Sequence, residues 1–119
     1  MRGNMGNTKD IRPWGSFTIL ADEQNFKVKI LTVSPHKRLS LQAHQRREEN
    51  WVVVVGEALV QIDDEFLLLS VGQHVFIPKQ TKHRLENQGD TDLIIIETQT
   101  GEYFGEDDII RYADDFQRV

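Results

Sequence analysis

Four residues in this chain have the types and the spacing to hold one metal ion. Gln42 and His44 stand two apart, which on a β-strand turns both side chains to the same side. Glu49 heads the next apolar run, and His83 follows a turn that begins at Pro78. Together they offer an amide oxygen, two imidazole nitrogens and a carboxylate, a donor set for a single divalent ion. Imidazole suits zinc, manganese, iron, cobalt or nickel better than magnesium, which prefers oxygen ligands. One divalent metal, zinc first, is the expected cofactor.

The elements that must position these ligands are short strands. Runs at 16–20, 26–33, 39–44, 51–55, 58–62, 66–69, 74–77, 83–86 and 93–98 alternate in polarity or are wholly apolar. They end at turn signals such as Gly56 and Asp63-Asp64. About eight or nine strands at this spacing, with no long helical period, indicate an all-β sandwich or barrel. Inward residues of a small barrel converge near its rim, so ligands from separate strands can meet there. The expected turn before Glu49 is 45–48. Residues 1–11, polar and glycine-bearing, are expected to form a loose arm before a single domain at 12–119. The acidic tail from residue 105 is expected to hold a short strand or one helical turn.

Composition narrows the partners. The 119 residues make one domain, with 39% hydrophobic and 28% charged residues, ordinary for a soluble globular protein. A net charge of -5 argues against nucleic acid or an anionic membrane as the main partner. Absence of cysteine excludes disulfides and thiolate metal sites. No apolar stretch approaches the ~20 residues that span a bilayer, and the opening residues lack an apolar signal core. A cytoplasmic protein is expected.

The spacing resembles the two cupin motifs. In the first, glycine, the two histidines, glutamate and glycine correspond here to His36, Gln42, His44, Glu49 and Gly56; in the second, Gly72, Pro78, His83 and Asn87 are in register. Gln42 replaces a histidine. His36 and Gln80 stand where glycine is usual, so those turns either avoid positive φ or carry strain. This resemblance implies an all-β cupin double-stranded β-helix, a jelly-roll barrel. A longer similarity runs from Arg12-Pro13-Trp14-Gly15-Ser16-Phe17 through Arg38-Leu39-Ser40-Leu41-Gln42 and His83-Arg84-Leu85-Glu86-Asn87 to Gly105-Glu106-Asp107-Asp108-Ile109. Over these segments the chain resembles the cupin domain of type II phosphomannose isomerases, which are bifunctional with mannose-1-phosphate guanylyltransferase. The family's histidine-rich run is here His44-Gln45-Arg46-Arg47-Glu48-Glu49. No glycine-rich nucleotide loop is present, so nucleotidyl transfer is not expected.

What the resemblance implies is a metal-dependent interconversion of mannose 6-phosphate and fructose 6-phosphate, with a base moving a proton between C1 and C2. Arg38 shares strand parity with Ser40, Gln42 and His44, and is expected in the catalytic cavity holding phosphate bidentately. Lys27 and Lys29 share one strand face, and Arg46 sits in the turn beside His44; all three are expected substrate contacts. The alternative for the lysines is a solvated face. Glu97, inside an apolar strand, is the candidate base, since burial raises a carboxyl pKa; a structural acceptor or a rim residue is the alternative. Trp14, Trp51 and Phe76 are read as core, and His74 as packing or surface. Glu106, Asp107 and Asp108 are read as a solvated turn, one that the resemblance allows to close over the barrel mouth. Two other functions stay open: a non-catalytic metal-containing cupin that binds a sugar phosphate or sugar nucleotide, and a small metal-dependent enzyme with another substrate. A homodimer paired through edge strands is the expected assembly.

Overall fold

Alternation of inward and outward side chains shapes most of this chain. The computed structural model describes residues 8–118. Among them run eleven strands: β1 (Lys9–Arg12), β2 (Gly15–Asp22), β3 (Phe26–Val33), β4 (Leu41–Ala43), β5 (Arg47–Val55), β6 (Ala58–Ile62), β7 (Glu65–Leu69), β8 (His74–Ile77), β9 (His83–Glu86), β10 (Leu93–Gly101) and β11 (Ile110–Ala113). They form two antiparallel sheets, one ordered β1-β2-β3-β10-β5-β8 and the other β11-β4-β9-β6-β7. No helix of the described residues is long and apolar enough to cross a membrane.

The space between the sheets has an apolar storey and a polar one. Val33 pairs with Leu93, and Ile95 lies between Leu31 and Val53; all five are buried, with Val60, Ile77 and Leu85 from the facing elements. Burying each such side chain contributes roughly 1.5–3 kcal/mol. Two residues further along the same strands the inward positions become polar. Glu97 lies between Lys29 and Trp51, and Gln99 between Lys27 and Glu49. These are buried as completely as the aliphatic layer: Lys29 is 4% exposed, Glu97 5% and Gln99 0%. The solvated-face reading of the lysines therefore fails, because β3 turns Lys27, Lys29, Leu31 and Val33 inward and leaves Phe26, Val28 and Ile30 outside. Gly101 carries β10 to the level of Arg47 with φ of 146°; a Cβ there would lie 2.5 Å from the Arg46 carbonyl oxygen.

Three boundaries differ from those read in the sequence. The loose arm expected over 1–11 is a paired strand from Lys9 onward, with Lys9 opposite Thr18 and Arg12 opposite Gly15; residues 1–7 of that arm lie outside the described residues. Backbone pairing along an exposed edge needs no apolar alternation, so composition hid it. Strand β5 begins at Arg47, inside the expected 45–48 turn. Its first inward residues, Arg47 and Glu49, are charged and bonded to each other, which masks the strand as polar. Strand β4 begins only at Leu41, because consecutive residues Leu39 and Ser40 are both buried and break the alternation.

The two turns without their expected glycines keep the glycine-like backbone. His36 and Gln80 both have φ of 62°. They follow the strained branch of the expectation, at a cost of roughly 1–2 kcal/mol each.

Candidate metal centre

The polar storey gathers its donors from four places. Gln42 on β4 faces His83, the first residue of β9, Glu49 projects from β5, and His44 sits in the turn after β4. His44 Nε2 is 3.2 Å from Glu49 Oε2, and His83 Nε2 is 3.9 Å from Glu49 Oε1. Donor atoms of these three residues lie within 4.8 Å of one another, and each residue is at most 3% exposed.

Backbone carbonyls set both imidazoles. His44 Nδ1–H donates to the Asp108 carbonyl at 2.6 Å, and His83 Nδ1–H to that of Thr81 at 2.9 Å. A carbonyl only accepts, so each Nδ1 carries a proton, and each Nε2 faces Glu49. Burial, with the nearby charge of Arg47, lowers the His44 pKa despite the opposing pull of Glu49, which favours the neutral ring. This is the donor set, held from behind, that a divalent metal requires. The Gln42 amide donates its N–H to the Ser40 carbonyl at 3.4 Å.

Glu49 is a crowded carboxylate. Arg47 Nε donates to Oε2 at 3.0 Å and Trp51 Nε1 to Oε1 at 3.0 Å. Burial opposes its charge, yet His44, His83 and Arg47 prevail and hold the group ionised, below the usual carboxylate range. Its neighbour behaves oppositely. Burial and then the Glu49 charge push Glu97 up to about 8, with Lys29 pulling the other way. Glu97 therefore favours the protonated acid beside the ionised Glu49, and Gln99 donates to its Oε1 at 2.7 Å.

The chain beyond β10 crosses this end of the barrel. Lys29 Nζ is 2.6 Å from Glu106. The Asp108 carboxylate accepts from the amides of Gln45 (3.1 Å) and Arg46 (3.0 Å), which fixes the turn that carries His44. The expected solvated turn thus closes over the mouth and contacts the centre directly.

The remaining expected ligand contacts separate into inside and outside. Lys29 lines the cavity beside the centre. Lys27 is buried behind it, with Nζ 3.4 Å from the Phe104 carbonyl. Arg38 lies outside: its guanidinium grips Asp115 at 2.8 and 2.9 Å. Strand parity does not extend to Arg38, because the chain changes side at Leu39–Ser40, where a lone bridge from Arg38 to Glu86 precedes β4. Arg46 is outside as well, paired with Glu102 at 3.2 Å and stacked on Tyr103. The cavity instead draws Arg47, Arg12, Arg111 and Arg118. The spacing rule that pairs Gln42 with His44 also pairs Arg47 with Glu49, a signal that the polar run 45–48 hides. The other three arginines come from both ends of the chain, and no local pattern marks them.

Residues 4–114 match the family model described as "Mannose-6-phosphate isomerase C-terminal". Among curated proteins, the chain is 49% identical over 108 residues to "Alginate biosynthesis protein AlgA" of Pseudomonas aeruginosa, covering 91% of this chain and 22% of that protein. It is 43% identical over 108 residues to "Mannose-1-phosphate guanylyltransferase" of Escherichia coli (strain K12), covering 91% and 23%. The chain spans about a quarter of the length of the curated relatives it matches. Among solved structures, an RmlC-like cupin from Shewanella frigidimarina superimposes with a TM-score of 0.75 at 21% identity, covering 87% of this chain and 89% of that one. The fold is the expected all-β cupin double-stranded β-helix.

Two functional expectations are overturned. The stand-alone mannose 6-phosphate–fructose 6-phosphate isomerase is not supported, because relatives matched over nine-tenths of this chain carry guanylyltransferase names. The exclusion of nucleotidyl transfer falls with it. Lack of a glycine-rich loop describes these 119 residues, whereas the relatives are about four times as long. Glu97, the candidate base, is buried with the raised pKa expected of it, and Glu49 is the neighbour that adds to the effect of burial.

Proposed function

Because the chain belongs to the mannose-6-phosphate isomerase C-terminal family, we propose that it is a metal-holding cupin module that binds a sugar phosphate for a protein of the mannose-1-phosphate guanylyltransferase kind. One observation carries this reading. His44, Glu49 and His83 open into a cavity that Arg12, Lys29, Arg47, Arg111 and Arg118 also line, although the chain as a whole is acidic. Cations gathered in a concave wall of a net-negative protein favour a small anion. The relatives' names supply the sugar, mannose, and its phosphate.

The metal is proposed as a divalent transition ion, zinc first, held by His44, Glu49, His83 and the oxygen of Gln42. When bound, such an ion supplies Lewis acidity toward a hydroxyl or carbonyl oxygen of the ligand. The chain's own residues do the rest. Asp108 and Thr81 orient the imidazoles, Trp51 and the protonated Glu97 hold Glu49, and Phe17, Trp14 and Leu31 keep the inner wall apolar.

Calorimetry tests the proposal with metal-loaded and chelator-treated protein against mannose 1-phosphate, mannose 6-phosphate and mannose. Binding of a mannose phosphate, and no comparable binding of mannose, is the expected result. Equal affinity for mannose and its phosphates would overturn the reading.

A further inference from the structure

Two buried polar groups lining the cavity have no partner among the described residues. Ser40 is 0% exposed and its Oγ makes no hydrogen bond; Arg111 Nε is buried and equally unpartnered. Arg111 lies on β11, and Ser40 immediately precedes β4. Arg111 on β11 pairs with Gln42 on β4, and Ser40 stands two residues before Gln42, so both groups flank the amide expected at the metal. Folded proteins leave few buried donors unsatisfied, and those they leave call for a cause.

The other cations of the cavity are already engaged. Lys29 pairs with Glu106, Arg47 with Glu49, and Arg118 grips Asp114 at 2.6 and 3.1 Å. Arg12 donates to the Ile11 carbonyl and lies over the Phe17 ring. Among the described residues Arg111 has no ion pair. Burial and then the charge of Arg118 lower its pKa, Asp114 and Glu106 oppose them, and Arg12 adds the smallest push downward. A guanidinium in that setting lacks an anion, and the Ser40 hydroxyl lining the same cavity lacks a partner.

We propose that Ser40 and Arg111 form the subsite for the phosphate group of the bound ligand, adjacent to the metal ligands and separate from the lysines of β3. Phosphate oxygens are acceptors only, which matches a guanidinium fork and a free hydroxyl. Lys29 and Arg47 would first have to release Glu106 and Glu49, whereas Ser40 and Arg111 have no bond to break. This assignment rests on the sugar-phosphate reading above.

The test uses the whole 119-residue chain, metal-loaded, with inorganic phosphate, mannose 1-phosphate, mannose 6-phosphate and mannose as probes in calorimetry. Arg111→Met is expected to weaken phosphate and mannose-phosphate binding by about 10- to 100-fold, and Ser40→Ala by about 3- to 10-fold. Arg38→Met, outside the cavity, is the control and leaves binding unchanged. Ser40→Ala should also keep or raise the thermal midpoint, because no protein hydrogen bond is lost; a marked fall with unaltered binding would make the hydroxyl structural and overturn the subsite. If Arg111→Met does not fold, Arg111→Lys keeps the charge, loses the fork and is still expected to weaken binding. Wild-type protein that binds a mannose phosphate with the same affinity as both cavity variants would overturn the subsite and leave the sugar-phosphate reading intact. Wild-type protein that binds neither phosphate nor any mannose phosphate would overturn both.

Discussion

Glu49 and Glu97, on adjacent strands, share one donor: Trp51 Nε1–H lies 3.0 Å from an oxygen of the first and 3.2 Å from an oxygen of the second. Two carboxyls this close in a buried site do not both ionise. Three cationic or cation-capable neighbours, His44, His83 and Arg47, surround Glu49, so Glu49 takes the charge and Glu97 keeps the proton.

That division has a pH signature. The folded pKa of Glu97, about 8, lies above its ordinary value of 4.5. Its contribution to stability is therefore complete below pH ~4.5 and is lost as pH rises through about 8. In metal-free protein, Glu97→Gln, which mimics the protonated acid, should have a flatter stability profile across that window. The variant should be the more stable of the two above pH ~8, by an amount on the order of a few kcal/mol. Urea denaturation at successive pH values measures the difference, and parallel profiles would contradict the assignment.

Metal binding should depend on both histidines. His44→Ala and His83→Ala should each lower metal content, and the double variant should lose it, as measured by elemental analysis after dialysis against the metal. Tyr112, exposed on β11, serves as a control site, and Tyr112→Ser should retain the metal. Undiminished occupancy in the double histidine variant would place the ion elsewhere.

Arg47 donates to Glu49 Oε2 and also lies 3.3 Å from His44 Nε2, the lone pairs that a metal would use. Arg47→Met leaves Glu49 as a buried charge short of its cation, which should destabilise metal-free protein by roughly 3 kcal/mol. A divalent ion restores the missing positive charge. The rise in thermal midpoint on adding metal should therefore be larger in Arg47→Met than in wild type; an equal or smaller rise would show that guanidinium and metal do not compete.

The left-handed turn at Gln80 offers a stability gain away from the centre. With φ of 62° and an exposed side chain, Gln80→Gly should stabilise the protein by about 1 kcal/mol. Its amide donates to the His44 carbonyl at 2.7 Å, a bond that glycine retains. His36→Gly should gain less, since His36 also contacts Asp90 at 2.7 Å. A lowered denaturation midpoint for Gln80→Gly would mean that the side chain, not the backbone, dominates there.

Local sequence determined the parts of this protein that obey a local period. Strands β3, β6, β8 and β9 run over the residues that alternation marks, because the two-residue period of a strand is written in consecutive side chains. The motif spacing likewise placed His44, Glu49 and His83 close enough to act on one ion. What the sequence left open depends on where the period breaks and on what packs from afar. Leu39 and Ser40, buried side by side, turned Arg38 out to Asp115, 77 residues along the chain. Arg47 entered the barrel because an inward carboxylate two residues away neutralises it. Glu97 lost its solitary character because β10 lies beside β5, and Glu106 reached Lys29 because the chain after β10 folds back over the mouth. An ionisable side chain takes its charge, its direction and its partner from whatever shares its low-dielectric surroundings. Only the tertiary structure assembles those surroundings.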